Sequence, residues 1–293
     1  MLSFQKIQVI INPAAGQDEP ILNTLNQVFQ EYGVEWQVAI TRHSGDAQRL
    51  AEAAAAGGFD LVAGYGGDGT LMEIANGLQG SGIPLGVLPG GTGNSLAREL
   101  NIPMGLAQAA ELLCQAPNVR QIDLGQINDR YFLLHVYAGL KPSQQASRDL
   151  KDSLGIFAYL LPVLRVITDP QVTRYSLTID GTEVEEEGIV CIIVNAPGLG
   201  INLPFIKSIN PEDGLLDIIL VKTAALSAVP KVLEGKMPDE LFCHWRGREI
   251  ALHADTAQEV WADGEAVGKT PFTAVAAPKA LRVVTPPKEE SGA

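Results

Sequence analysis

Apolar positions along the first 126 residues follow two alternating rhythms. Short β-rich runs, KIQVIIN from Lys6, EWQVAIT from Glu35 and FDLVAGY from Phe59, are separated by helical spacing near residues 18 to 32 and from Asp46 onward. A further helix over Leu71 to Leu78, the run PLGVLP, helices over residues 94 to 115 and the run VRQIDLG complete the series. Strands parted by helices predict right-handed crossovers and a doubly wound, mainly parallel sheet covered on both faces. Ligands of such sheets bind beyond the C-terminal ends of the strands. Three glycine-bearing turns fall at those ends: NPAAG, GGDGT and GGTGN.

Past about residue 130 the rhythm changes. The runs YFLLHVYAG, RYSLTID, GIVCIIVN and LLDIILV surround one apolar helical stretch, and antiparallel pairing is the better expectation. The segment IDGTEV carries the Asp-Gly dipeptide of a tight hairpin. The chain thus divides into an α/β domain over residues 1–126, a β-rich, mainly antiparallel domain over 127–286 and a flexible polar tail at 287–293.

Composition narrows the function classes. With 293 residues and 46% hydrophobic content the chain can bury two cores. A formal charge of −13 with no basic cluster opposes binding to a phosphate backbone, so no nucleic-acid partner is expected, and a polybasic membrane anchor is equally excluded. The most apolar stretch, LGIFAYLLPVLRVI from Leu154, is interrupted by Pro162 and Arg165 and is too short to span a bilayer. The N-terminal segment lacks the features of a secretory signal, and Cys114, Cys191 and Cys243 form neither a metal pattern nor an even disulfide set, as expected of a reducing cytoplasm. His43, His135, His244 and His253 show no zinc-ligand spacing.

In GYGGDGT, Gly66, Gly67 and Gly69 let the backbone approach a bound group and turn N–H donors toward an anion. Thr70 can cap the following helix, whose positive end favours phosphate. Asp68 repels phosphate by itself and makes chemical sense as a ligand that holds magnesium against nucleotide phosphates. The same residues also suit a plain strand-to-helix turn with Asp68 as its cap.

GGDGTLMEIANGL followed by IPLGVLPGGTGNSLARELNIP resembles the catalytic domain of the diacylglycerol kinase and sphingosine kinase superfamily, in its soluble bacterial lipid kinase branch. The likeness extends through INPAAG, IDLG, SRDLKDSLGIFAYLL, NPEDGLLDIILV and ADGEAV. It implies an α/β ATP-binding domain and a β-rich lipid domain with the active site in the interdomain cleft. ATP would be held by Asn12, Pro13, Ala14, Ala15 and Gly16, by Thr41, by Gly66, Gly67, Asp68, Gly69, Thr70, Leu71 and Met72, and by Thr92. A structural magnesium would take the backbone carbonyls of Asn210 and Leu215 and the Asp213 carboxylate, and Asp123 would join Asp68 at the active-site magnesium. Asp263 and Glu265 in WADGEAVG, spaced to lie on one side of an extended segment, would include the general base. Each element also has a bland reading: an Asx-type turn at Asn12, a strand-end hydroxyl at Thr41, and hairpin turns at Asp213 and at Asp263 with Glu265 solvated.

The resemblance further implies ATP and Mg2+ as cofactors, a neutral diacylglycerol-like lipid as substrate and transient contact with a membrane surface. The expected location is cytoplasmic, peripheral at the inner membrane surface, with a homodimer as an option. Two departures stand out. Ser95 replaces an acid that many relatives carry, and Lys141 and Pro142 replace a glycine and an acid. NAD kinase and a non-catalytic nucleotide or lipid sensor remain as alternatives.

Overall fold

The computed structural model describes residues 4–15, 19–115, 118–139, 172–196, 209–222 and 242–287. Gly16, Lys141, Pro142, the SRDLKDSLGIFAYLL segment, the apolar stretch from Leu154 and all but the first residue of the tail lie outside them.

The contacts divide the chain into two units, one formed by residues 1–122 together with 279–293, the other by residues 123–278. In the first unit, β1 (Lys6–Ile11), α1 (Ile21–Glu31), β2 (Glu35–Ile40), α2 (Asp46–Ala56), β3 (Leu61–Gly66), α3 (Asp68–Gly77) and β4 (Leu85–Pro89) follow the expected alternation. The short α4 (Ser95–Glu99) and α5 (Leu106–Cys114) come next. All four strands are parallel, in the order β2-β1-β3-β4. β1, β3 and β4 are almost wholly buried, Gln8 of β1 included, as strands covered on both faces are. α2 packs with α3, and α1 with α5, which separates the helices into two layers.

The α2–α3 contact is close because Gly77 has no side chain: a Cβ there would lie 2.4 Å from the Gln48 carbonyl oxygen and 2.9 Å from the Ala51 Cβ. Glu73 of α3 also holds the start of α2, accepting hydrogen bonds from the Gly45 and Ala47 amides at 2.8 and 3.0 Å. That carboxylate supplies acceptors to N–H groups that a helix start leaves unpaired.

The second unit is antiparallel, as the change of rhythm predicts. Its strands are β5 (Asn118–Ile127, which starts in the first unit), β6 (Arg130–Phe132), β7 (His135–Ala138), β8 (Thr173–Ile179), β9 (Thr182–Gly188), β10 (Val190–Val194) and β11 (Leu216–Val221). They continue with β12 (Phe242–Gly247), β13 (Glu249–Ala254), β14 (Glu259–Ala262), β15 (Glu265–Lys269) and β16 (Phe272–Thr285). One sheet runs β12-β11-β10-β7-β14-β15, and the other joins β9, β8, β13 and the first part of β16.

Two tight hairpins stand where Asp-Gly dipeptides predict them. Asp180 and Gly181 join β8 to β9, and Asp263 and Gly264 join β14 to β15. All four have positive φ, between 45° and 90°, the signature of a type I′ turn. β16 leaves the second unit after Pro278 and finishes in the first, where Val283 pairs in parallel with Leu85 of β4. Leu281, Val283 and Val284 are fully buried there.

Candidate active site

The strand order β2-β1-β3-β4 reverses direction between β1 and β3, and a ligand crevice forms beyond the C-terminal ends of the strands at such a point. Asn12 follows β1 and Gly66 to Thr70 follow β3, so the sheet brings these candidates together. Asn12 donates its side-chain amide to Thr70 Oγ1 at 2.9 Å, while its own Oδ1 accepts the Ala14 amide at 3.0 Å. The Asx turn expected at Asn12 is thus present, and the same side chain ties it to Thr70. Thr70 differs from the expectation: α3 begins at Asp68 after Gly67, and the Thr70 hydroxyl serves Asn12 instead of capping the helix. Thr41 sits beside them at the end of β2, donating its amide to the Ile11 carbonyl at 2.9 Å.

The loops after β3 and β4 touch backbone to backbone. A Cβ on Gly91 would come 2.5 Å from the Gly67 Cα, closer than any side chain permits. Asn94, buried and left-handed at φ 47°, clasps its own loop: Oδ1 accepts the Gly91 amide at 2.9 Å and Nδ2 donates to the Gly91 carbonyl at 2.6 Å. Asn is favoured at that φ because its short polar side chain can bond locally. Within GGTGN nothing in the sequence marks Asn94. Its value comes from the φ and the Gly91 contact, which appear only in three dimensions.

Asp68 joins the two loops. Its carboxylate accepts the Ser95 amide at 3.0 Å and the Leu96 amide at 3.1 Å, capping α4. Both bonds come from backbone, so the residue type at Ser95 leaves them unaltered. Gly69, at the N-terminus of α3, faces open space in which a Cβ would meet nothing within 4 Å. Thr92 is exposed on the neighbouring loop. A glycine-lined helix start, with an opening in front of it and two apposed loops, fits nucleotide phosphates.

In the second unit Asp263 and Glu265 separate in role. They do not lie side by side on an extended strand, because the type I′ turn puts Asp263 within the turn and Glu265 at the first position of β15. The Asp263 carboxylate accepts three amides, those of Leu133, Leu134 and His135, at 2.6, 3.0 and 2.9 Å. Burial pushes its pKa up, against the opposing influence of His135 and of these three N–H groups. Glu265 is exposed and pairs with Arg130 at 3.2 Å.

The segment that holds Asp263 is itself held from its carbonyl side. Buried Asn195 donates to the Leu133 carbonyl at 2.8 Å and to the Asp123 carbonyl at 2.9 Å. Asp123, 1% exposed, accepts the Gly214 amide at 2.6 Å and donates its own amide to the Pro211 carbonyl at 2.7 Å. Asp123 thus organises the 210–214 loop.

That loop is a poor fit for the expected divalent ion. Asp213 Oδ1 accepts the Leu215 amide at 3.1 Å, Oδ2 is bonded by Arg246, and the Asn210 carbonyl lies 3.4 Å from the Asp213 amide as its acceptor. A hard cation needs six or more oxygens, and here the single carboxylate of the set already serves a guanidinium. Among the described residues no group of three or more His, Cys, Asp or Glu is arranged to hold a metal, and no helix is long and apolar enough to cross a membrane.

Comparisons with known proteins agree with this architecture. Residues 6–127 match the diacylglycerol kinase catalytic domain, and residues 135–285 match the YegS C-terminal NAD kinase beta sandwich-like domain. A Pseudomonas aeruginosa protein named "Probable lipid kinase YegS-like" is 33% identical over 264 residues, covering 88% of this chain and 87% of its own. Diacylglycerol kinase of Bacillus subtilis is 28% identical over 295 residues and covers 97% of each chain. The crystal structure of a diacylglycerol kinase from Bacillus anthracis strain Sterne, 27% identical, superposes with a TM-score of 0.82 over 98% of this chain and 99% of that one. The chain belongs to the diacylglycerol kinase and YegS-like lipid kinase family, and is accordingly a phosphotransferase with an alcohol acceptor.

Proposed function

We propose that the chain transfers the γ-phosphoryl group of ATP to a hydroxyl of a neutral lipid, with diacylglycerol, giving phosphatidic acid, as the first candidate. The observation that carries this reading is the pair of glycine loops after β3 and β4, locked together by Asp68. Relatives over the full length of the chain are named lipid kinases and diacylglycerol kinases. Bound magnesium would neutralise charge on the phosphates during transfer, with Asp68 as the carboxylate nearest that task in the first unit. The amides at the start of α3 would face the phosphates, and Asn12 and Thr70 would form one wall of the nucleotide site.

Glu265 is the better placed of the two acids to take the proton from the lipid hydroxyl. Asp263 has both oxygens engaged with three amides, and accepting a proton would break at least one of those bonds. The exposed Glu265 has only to release Arg130. In this reading Asp263 fixes the turn and Glu265 acts from it. Contact with the membrane is then peripheral and brief, enough to reach a lipid headgroup.

The test is transfer of labelled phosphate from ATP with magnesium, offered diacylglycerol, monoacylglycerol, sphingosine, ceramide and NAD in parallel. Label in a lipid is the expected result. Label in NAD alone would replace this reading with that of an NAD kinase, and ATP binding without any transfer would make the chain a sensor.

A further inference from the structure

The 210–215 loop carries a second finding, independent of the nucleotide site. In β11 and β12, Asp217 lies directly opposite Arg246 and Ile219 opposite His244. The Arg246 guanidinium bonds Asp213 Oδ2 and places its Nε 3.3 Å from Asp217 Oδ1. His244 Nε2 reaches the same Asp217 oxygen at 2.6 Å. Asp217 is 1% exposed, so its charge is removed from water and depends on these partners. The result is a chain of polar contacts, Asp213–Arg246–Asp217–His244, that starts at the loop and ends on β12.

We infer that Arg246 serves this loop as a built-in counter-ion, in the place where a divalent cation would otherwise hold it. Three observations support this. The strand register delivers the guanidinium to the loop without adjustment, since Arg246 sits opposite Asp217, four residues from Asp213. The remaining Asp213 oxygen serves the Leu215 amide, and Asp123 secures the Gly214 amide, so the turn is closed from within. A dication on Asp213 would also stand beside a guanidinium that is always charged, and the two would repel.

The consequence is that the folded loop needs no metal, and the protein's use of divalent ions is confined to the nucleotide. The first arm of the test rests on no assumption about catalysis. Chelator-stripped, nucleotide-free protein is melted with and without millimolar magnesium or calcium. The wild type should melt at the same temperature in both. Arg246→Gln should melt several degrees lower and regain part of the loss when the cation is added. Asp213→Asn should show a smaller loss, because it leaves the pair of Arg246 with buried Asp217 intact, and the double variant no more than Arg246→Gln alone.

A wild-type melting temperature that rises by several degrees with cation, with the rise abolished in Asp213→Asn, would overturn the inference. So would Arg246→Gln or Asp213→Asn melting like the wild type. If Arg246→Gln fails to fold, Arg246→Lys, which keeps the charge and loses the fork, should fold with an intermediate loss; full wild-type stability there would count against the guanidinium. Electron paramagnetic resonance of added Mn2+ gives a separate readout: no tight site should appear in nucleotide-free wild type, and a tight site lost in Asp213→Asn would sink the idea.

Discussion

At the scale of single residues, the two glycine loops make an asymmetric forecast. A Cβ on Gly91 would press against the Gly67 Cα at 2.5 Å, whereas a Cβ on Gly67 would meet the Gly91 Cα at 3.6 Å, an ordinary contact. Overpacking of this kind typically costs about 1–3 kcal/mol. Gly91→Ala should therefore lower stability by about 1–3 kcal/mol in denaturant unfolding, while Gly67→Ala, whose Cβ meets only an ordinary protein contact, stays close to wild type in that measurement. The two acids of the ADGE turn give a second forecast. Glu265→Gln should abolish turnover and leave the melting temperature unchanged; Asp263→Asn should lower stability by about 1–3 kcal/mol through three disturbed amide bonds, read by denaturant unfolding. The candidate residues were legible only through the family likeness, because the local chemistry of glycine, aspartate and asparagine suits turns and caps equally well. Their division of labour was not: Asp263 owes its role to amides 128 to 130 residues away in the chain.

At the scale of elements, Gly77 opposes intrinsic propensity to packing. Alanine is favoured over glycine in a helix by about 1 kcal/mol. Yet its methyl group at this position would meet Gln48 and Ala51 of α2, so Gly77→Ala should be net destabilising in a thermal melt. A pH effect belongs to the start of α2. Asp46 accepts the Arg42 and His43 amides and pairs with Arg49, and its pKa falls to about 2, the Arg42 amide contributing most. A carboxyl pKa depressed in the folded state stabilises fully above the unfolded value near 4 and loses that contribution as pH falls toward 2. Amide exchange in the first turn of α2 should accelerate over that window, and Asp46→Asn should remove the pH dependence. The parallel strands and the two Asp-Gly hairpins were legible because apolar runs and turn chemistry are local signals. The helices expected over residues 94–115 are α4 and α5, but where the first ends was not legible, and the left-handed Asn101, φ 55°, stands between them. Spacing alone cannot show a break made by one left-handed residue.

At the scale of the whole molecule, the change from alternating helix and strand to antiparallel strands was legible as a change of period. The return of β16 to the first unit was not, since an apolar strand carries no mark of the sheet it will join. Leu281, Val283 and Val284 together bury enough surface to contribute roughly 5–9 kcal/mol, at about 1.5–3 kcal/mol for each fully buried aliphatic side chain. That is comparable with the entire stability of a typical domain, about 5–15 kcal/mol. A chain ended at Pro278 should accordingly lose cooperative unfolding of the first unit, with rapid amide exchange in β3 and β4, while the full chain protects them. Protection equal to that of the full chain would show that β16 is dispensable there.

The same strand sets a timetable for biosynthesis. Translation delivers the parallel strands β1 to β4 early, but Val283 of the strand that completes their sheet is made 283 − 85 = 198 residues after its partner Leu85. At about 5–20 residues per second this leaves roughly 10–40 s during which the nascent first unit has an open apolar edge beside β4. An unpaired edge of this kind invites wrong partners. Chaperone contact with the growing polypeptide should therefore concentrate in that interval and end once Val283 has found Leu85.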